Sequence, residues 1–183
     1  TRLKSPAYQK RWYAQKARAG GGHLAWLGIH WLDLATYLTG THATHVTGFS
    51  ANVGGQPLDV EDSAAVALRY ANGTLGTLTS GYYLDRGYHT HIKIWGSQGW
   101  VQLERVEGKP LTWQSWKPGS KSGVQTWQGN TEPRGYTPFV QAAVKAAAGL
   151  ADAPISSADS LRALQTVYGL YQAQATGRTQ TIG

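Results

Sequence analysis

The 183-residue sequence has no cysteine, no methionine and only two phenylalanines. Without cysteine there can be no disulfide and no thiolate metal site, although this does not by itself decide the compartment. No apolar run approaches the ~18 residues that a membrane-spanning helix needs. No signal peptide is visible, and no internal repeat or low-complexity linker interrupts the chain. With no methionine anywhere, the sequence reads as a piece of a longer product. Acidic residues are also scarce, 10 against 17 lysines and arginines, leaving a formal charge of +7. What is present is globular: 41% hydrophobic and 15% charged residues exclude a disordered or fibrous chain. The length is enough to bury a full core as one domain.

The positive charge is concentrated at the start, in Arg2, Lys4, Lys10, Arg11, Lys16 and Arg18. Residues 1–19 are read as a basic lead-in. Such a cluster suits nucleic acid or a phosphorylated ligand, but it equally describes a solvated face or a surface that meets another domain. No nucleic-acid or membrane partner is expected. Ser5-Pro6 has the form of an N-cap and first helical residue.

Residues 20–40, GGGHLAWLGIHWLDLATYLTG, are bracketed by glycine and carry apolar residues at helical spacing. A wheel at 100° per residue puts Leu24, Leu27, Trp31, Leu34 and Leu38 on one stripe. His23, Trp26, His30, Asp33 and Tyr37 share the next, while Ile29 and Leu32 face a third way. Such a helix is expected to be mostly buried, so its polar stripe needs partners or a cavity. His30 is then either a satisfied core histidine or a side chain facing a ligand. His23, one heptad earlier, could line the same cleft. Trp26 could stack on a sugar or merely fill space, and Asp33 could orient the His30 ring or solvate the helix edge.

Strand patterns follow. In residues 41–53, Val46, Gly48 and Ser50 share a face. Residues 59–62 read as an acidic turn. Asn72-Gly73 marks a hairpin with Tyr70 opposite Leu75 and Gly76 as a candidate bulge. A second pair, YHTHIKIW and WVQLERV, meets at Gly96-Ser97-Gln98-Gly99 with Trp100 opposite Trp95. Ile92 and Ile94 point one way, His89, His91, Lys93 and Trp95 the other. One face is aliphatic and suited to helices. The other, aromatic and polar, is expected to make a homo-oligomer contact through His89, His91, Lys93, Trp95 and Trp100. His89 and His91 lack a partner at ligand spacing, so no metal site is expected. Tyr83 and Arg86, in a loop between strands, could bind sugar hydroxyls or be plain surface. Residues 110–127 suggest one or two edge strands and a loop. Residues 137–151 form an alanine-rich helix. A last helix, capped by Ser157 and stopped by Gly177, presents Leu161, Leu164, Val167, Tyr168 and Tyr171. A short strand ends the pattern.

Gly20, Gly21, Gly22, Leu24, Gly28, His30 and Asp33 fall on GGG-x-L-x-D-x-G-x-H-x-x-D, and the chain resembles the glucose–fructose oxidoreductase and inositol dehydrogenase (Gfo/Idh/MocA) family. The acidic turn and hairpin, IKIWGSQGWVQLE and the closing helix and strand continue the resemblance from Gly20 onward. It departs at Trp26, where the family pattern has Asp. The resemblance implies an α+β fold, a predominantly antiparallel open sheet with helices on one face, like the C-terminal domain of glyceraldehyde-3-phosphate dehydrogenase. It implies that residues 20–183 are the substrate-binding and oligomerisation domain of an NAD(P)-dependent oxidoreductase acting on a sugar, polyol or related compound. His30 would be its catalytic residue, with His23, Trp26, Asp33, Tyr83 and Arg86 around the substrate. A dinucleotide-binding domain needs a glycine-rich turn between a strand and a helix. Gly20–Gly22 follow a basic polar segment instead, and no Glu-Lys-Pro, the family motif with the catalytic lysine, is present. NAD or NADP is therefore expected to belong to a domain outside this chain, which alone should be inactive and cytoplasmic. The alternative is a carbohydrate-binding or redox-inactive scaffold homolog.

Overall fold

Ser5 and Pro6 open the first helix of the computed structural model, which describes residues 5–82, 90–104, 111–127 and 135–183. In chain order the helices are α1 (Pro6–Gln9), a 3-10 turn (Trp12–Ala14), α2 (Lys16–Ala19), and a π turn (Leu24–Gly28) running into α3 (Ile29–Thr39). Strands β1 (Ala43–Ala51), β2 (Ser63–Tyr70), β3 (Leu75–Gly81), β4 (His91–Gly96), β5 (Gly99–Glu104), β6 (Leu111–Ser115) and β7 (Gln125–Thr126) follow. Helices α4 (Tyr136–Ala147) and α5 (Ser157–Thr176) and strand β8 (Gln180–Thr181) complete the chain. The fold is α+β, as expected. Among the described residues the antiparallel strands form two four-stranded sheets, ordered β3-β2-β1-β8 and β4-β5-β6-β7. The chain divides accordingly into two units, Thr1–Leu84 with Ser156–Gly183, and Asp85–Ile155.

The first unit holds the core. Strand alternation buries Ala64, Val66, Leu68 and Tyr70 of β2 and exposes Ala65, Ala67 and Arg69. The buried face meets Leu24, Leu32, Val167, Leu170 and Ile182. Val167 and Leu170 are fully enclosed, each contributing about 1.5–3 kcal/mol. The expected apolar face of α5 is only partly right, because Leu161, Leu164 and Tyr168 point outward. The contact is made by Ala163, Val167, Gly169, Leu170 and Ala173. Small residues win here because the helix lies close on the sheet: a Cβ on Gly169 would strike Ile182 and Val46. Ser156, not Ser157, caps α5, its Oγ accepting the Asp159 N–H at 3.0 Å. Gly40 and Gly177 end α3 and α5 in the left-handed conformation, both with φ of 65°.

The hairpin differs from expectation by one residue. Arg69, not Tyr70, lies opposite Leu75. Gly73 N–H donates to Tyr70 O and Tyr70 N–H to Thr74 O. With Gly73 at φ 86°, this is a three-residue loop closed by a glycine bulge. Gly76 is in regular register opposite Leu68; its missing side chain leaves room for the Tyr70 ring. The bulge falls instead in β1, between Ala43 and His45.

In the second unit, β4 and β5 pair as read, with Trp95 opposite Trp100 and Gly96 opposite Gly99. The Lys93 ammonium lies 5.2 Å from the Trp95 ring centre and 4.5 Å from that of Trp100, close enough for a cation–π contact with both. No described residue of this unit is fully buried. Ile92, Ile94, Val101 and Leu103 are half-buried, and Tyr136, Phe139, Val140 and Val144 of α4 are exposed.

Candidate functional site

The helix that carries the candidate site is seated by three glycines and one carboxylate. A Cβ on Gly20 or Gly21 would collide with the hydroxyl of Tyr168 or Tyr171, and one on Gly22 with the backbone oxygen of Glu61. The glycine run is therefore where α5 and the 59–62 turn press against the chain. Glu61 Oε2 accepts the Gly22 N–H at 2.7 Å, and Oε1 accepts the Leu24 N–H at 3.0 Å and the Tyr171 hydroxyl at 2.7 Å. Its backbone oxygen accepts the His23 N–H at 2.9 Å. Burial and the bond to Glu61 push the Tyr171 phenol well above its ordinary range. The neighbours act alike: Asp59 accepts the Lys16 N–H, and fully buried Asp62 accepts the Val53 and Gly54 N–H groups. The acidic turn is a set of backbone clamps, which the charge pattern alone did not announce.

These bonds also bear on the cofactor. A phosphate-cradling loop offers free N–H groups to an anion. Here the Gly22 and Leu24 N–H groups already serve the Glu61 carboxylate. The glycine run does not fit a dinucleotide phosphate.

The π turn over Leu24–Gly28 rephases the helix. Its wider turn takes about one residue more than an α turn, so residues beyond it rotate by about 100° relative to a uniform wheel. The core-facing positions become Leu24, Gly28 and Leu32, spaced by four. His23 and His30 consequently part company. His23 is turned into the core, 6% exposed, with Nε2 2.6 Å from Ser80 Oγ and its ring against Tyr82. Its Nδ1 is buried without a hydrogen-bond partner. Desolvation lowers its pKa to about 4, against a smaller opposing pull from Asp62. His23 thus takes the core-histidine role rather than lining a cleft with His30.

His30 is exposed, not buried as the wheel suggested, and Asp33 is half-buried. Trp26 is 39% exposed and packs against Trp12, ring centres 5.2 Å apart, and Tyr13, at 6.1 Å. Trp26, His30 and Tyr37 therefore share the solvent side of the helix. Trp12 and Tyr13 are the residues that sequence reasoning missed; their spacing relative to Trp26 carries no helical or strand signal. Tyr83, Arg86 and His89 lie outside the described residues. His45 Nδ1 lies 3.0 Å from the Thr44 hydroxyl, and His42 lines a small crevice with Tyr70, Arg162 and Thr166. Among the described residues no three His, Cys, Asp or Glu side chains converge as metal ligands.

The sequence of residues 1–102 matches the model of the GFO/IDH/MocA C-terminal domain, and the chain belongs to that family. No curated protein matches it in sequence. Among solved structures, an oxidoreductase domain protein from Kribbella flavida superposes with a TM-score of 0.83 at 22% identity, covering 99% of this chain and 54% of that one. Aldose-aldose oxidoreductase from Caulobacter crescentus, complexed with glycerol, gives 0.77 at 22% identity, covering 94% and 51%. Levoglucosan dehydrogenase in complex with NADH and L-sorbose gives 0.82 at 21% identity, covering 99% and 54%. The α+β fold is that of the C-terminal domain of Gfo/Idh/MocA oxidoreductases, and the chain spans about half the length of these relatives.

Proposed function

We propose that this chain is the C-terminal substrate-binding domain of an oxidoreductase acting on a sugar, polyol or related compound. NAD or NADP is bound by a Rossmann-type domain outside these residues, so the chain alone is inactive. The observation that carries the reading is the exposed His30 imidazole on the family's glycine-led helix, about one turn from both Trp26 and Asp33. A neutral imidazole can take a hydrogen bond or proton from the reacting hydroxyl, and Asp33, one turn on, orients the ring. Tyr83 and Arg86 complete the substrate contacts. In the complete protein, His30→Ala is expected to lower kcat/KM by at least about a hundredfold with NAD(P) affinity unchanged. Unaltered turnover removes His30 from the mechanism, and micromolar NAD(P) binding by this chain alone overturns the division of labour.

The second reading, a redox-inactive or carbohydrate-binding homolog, is favoured by Trp26, which replaces the family's Asp and is held in an aromatic cluster. Saturable sugar binding without turnover by the complete protein selects it.

The face of β4 and β5 that carries His91, Lys93, Trp95 and Trp100 is assigned to a second copy of the chain; His89, expected to share the contact, lies outside the described residues. Trp95 is 68% exposed beside the Lys93 ammonium, an aromatic patch of the kind interfaces use. Light scattering should give at least twice the mass of one chain; a monomer at micromolar concentration rules the contact out. No described helix is long and apolar enough to cross a membrane, and a cytoplasmic location accompanies this reading.

A further inference from the structure

The helix stripe does not stand alone on its surface. Tyr8, Trp12, Tyr13 and Trp26 form a connected group of rings: Tyr8 to Tyr13 at 4.7 Å, Trp12 to Tyr13 at 5.8 Å and Trp12 to Trp26 at 5.2 Å. The two tryptophans are tilted by 59° rather than stacked, and both keep over a third of their surface open, 45% for Trp12 and 39% for Trp26. His30 follows Trp26 by four residues, about 6 Å of helix rise, a span that one pyranose ring and its substituents can bridge. The same segment carries Lys10, Arg11, Lys16 and Arg18, all exposed. None of the four forms an ion pair with a described residue. The first acidic residue in the sequence is Asp33. Asp59, whose carboxylate reaches this segment, is engaged by the Lys16 backbone N–H.

We propose that this aromatic and cationic surface is a subsite for a monosaccharide bearing a negative charge, either a carboxylate or a phosphate. The inference rests on the reading of His30 as the substrate-facing residue and specifies the substrate class of that site. A pyranose has an apolar C–H face that fits an indole ring. Its hydroxyl rim ordinarily wants carboxylate acceptors. Here residues 5–32 offer none and Asp33 is half-buried, while Lys10, Arg11, Lys16 and Arg18 form no ion pair with a described residue. Guanidinium groups pair with carboxylate or phosphate oxygens two at a time, and Arg11 is adjacent to Trp12. Trp26 moves the balance the same way, putting an aromatic ring where the family pattern has an acid. An exposed cluster of large aromatic rings is itself a mark of a binding surface, and its charge selects the ligand.

The test is equilibrium titration of the complete protein, followed by tryptophan fluorescence and calorimetry, with glucose, glucuronate, galacturonate, glucose 6-phosphate and inorganic phosphate as probes. At least one charged sugar should bind about tenfold more tightly than glucose, and this advantage should shrink as salt is added. The tighter of uronate and sugar phosphate identifies the anion. Trp12→Leu should weaken the charged sugar about tenfold while Trp12→Phe retains it; the double variant Lys10→Gln, Arg11→Gln should erase the preference over glucose and leave glucose affinity as it was. Thermal melts check that each variant is folded. Equal affinity for glucose and the charged sugars overturns the proposal. So does inorganic phosphate competing as well as the sugar phosphate, Trp12→Leu binding unchanged, or no saturable charged-sugar binding below millimolar concentration, as when another domain covers this surface. Because the readout needs no turnover, it stands or falls separately from the His30→Ala result.

Discussion

Replacing Glu61 with alanine is expected to cost the fold roughly 3–5 kcal/mol, since donors left unsatisfied in partly buried sites cost about 1–3 kcal/mol each. Three lose their acceptor together: the Gly22 and Leu24 N–H groups and the Tyr171 hydroxyl. Domains of this size have about 5–15 kcal/mol to lose, so the variant should unfold at a clearly lower urea concentration. Tyr171→Phe removes one of the three bonds and should cost about 1 kcal/mol. Together they separate the carboxylate's role from the phenol's. A Glu61→Ala unfolding free energy within about 1 kcal/mol of the parent shows that the glycine-led helix does not depend on this carboxylate.

The second large effect is acid sensitivity through His23. Its folded pKa is about 4, below the unfolded value of about 6.5. The unfolded chain therefore takes up a proton that the native state refuses. The resulting stability is fully present above about pH 6.5, declines as the solution is acidified, and is lost once pH falls through 4. The total is about 3 kcal/mol, undiluted by solvent because the ring is 6% exposed. Urea midpoints of the parent and His23→Gln should therefore converge between pH 7 and pH 4, the parent falling faster. Parallel pH profiles mean that burial of this imidazole has no such consequence.

Much of the architecture was legible because its signals are local. Gly40 and Gly177 stop helices through their own backbone conformation, Asn72-Gly73 announces a hairpin, and Gly96 to Gly99 fixes the Trp95–Trp100 register. The helix bearing the site was misread in phase, because a wheel assumes uniform winding and nothing in LAWLG declares a π turn. That single irregularity sent His23 inward and left His30 outward. The clamps of residues 59–62 were hidden for another reason. Apart from Val53 and Gly54, their partners, Lys16, Gly22, Leu24 and Tyr171, lie far away in sequence, and only the folded chain brings them together. The same holds for Trp12 and Tyr13 against Trp26, and for the division of the strands into two sheets. On α5 the pattern of larger side chains is not the buried one, because close approach to β1 selects alanine and glycine.

The first unit is discontinuous. Its opening strands are laid down early, yet Val167, Leu170 and Ile182 come from the far side of the Asp85–Ile155 segment. During translation β1 to β3 must wait on the ribosome with an apolar face unsealed until residues 157–182 emerge, an interval of several seconds at about 5–20 residues per second. A nascent chain stalled before that point is a natural client for chaperones, and clipping the last two dozen residues should be as damaging as deleting a central strand.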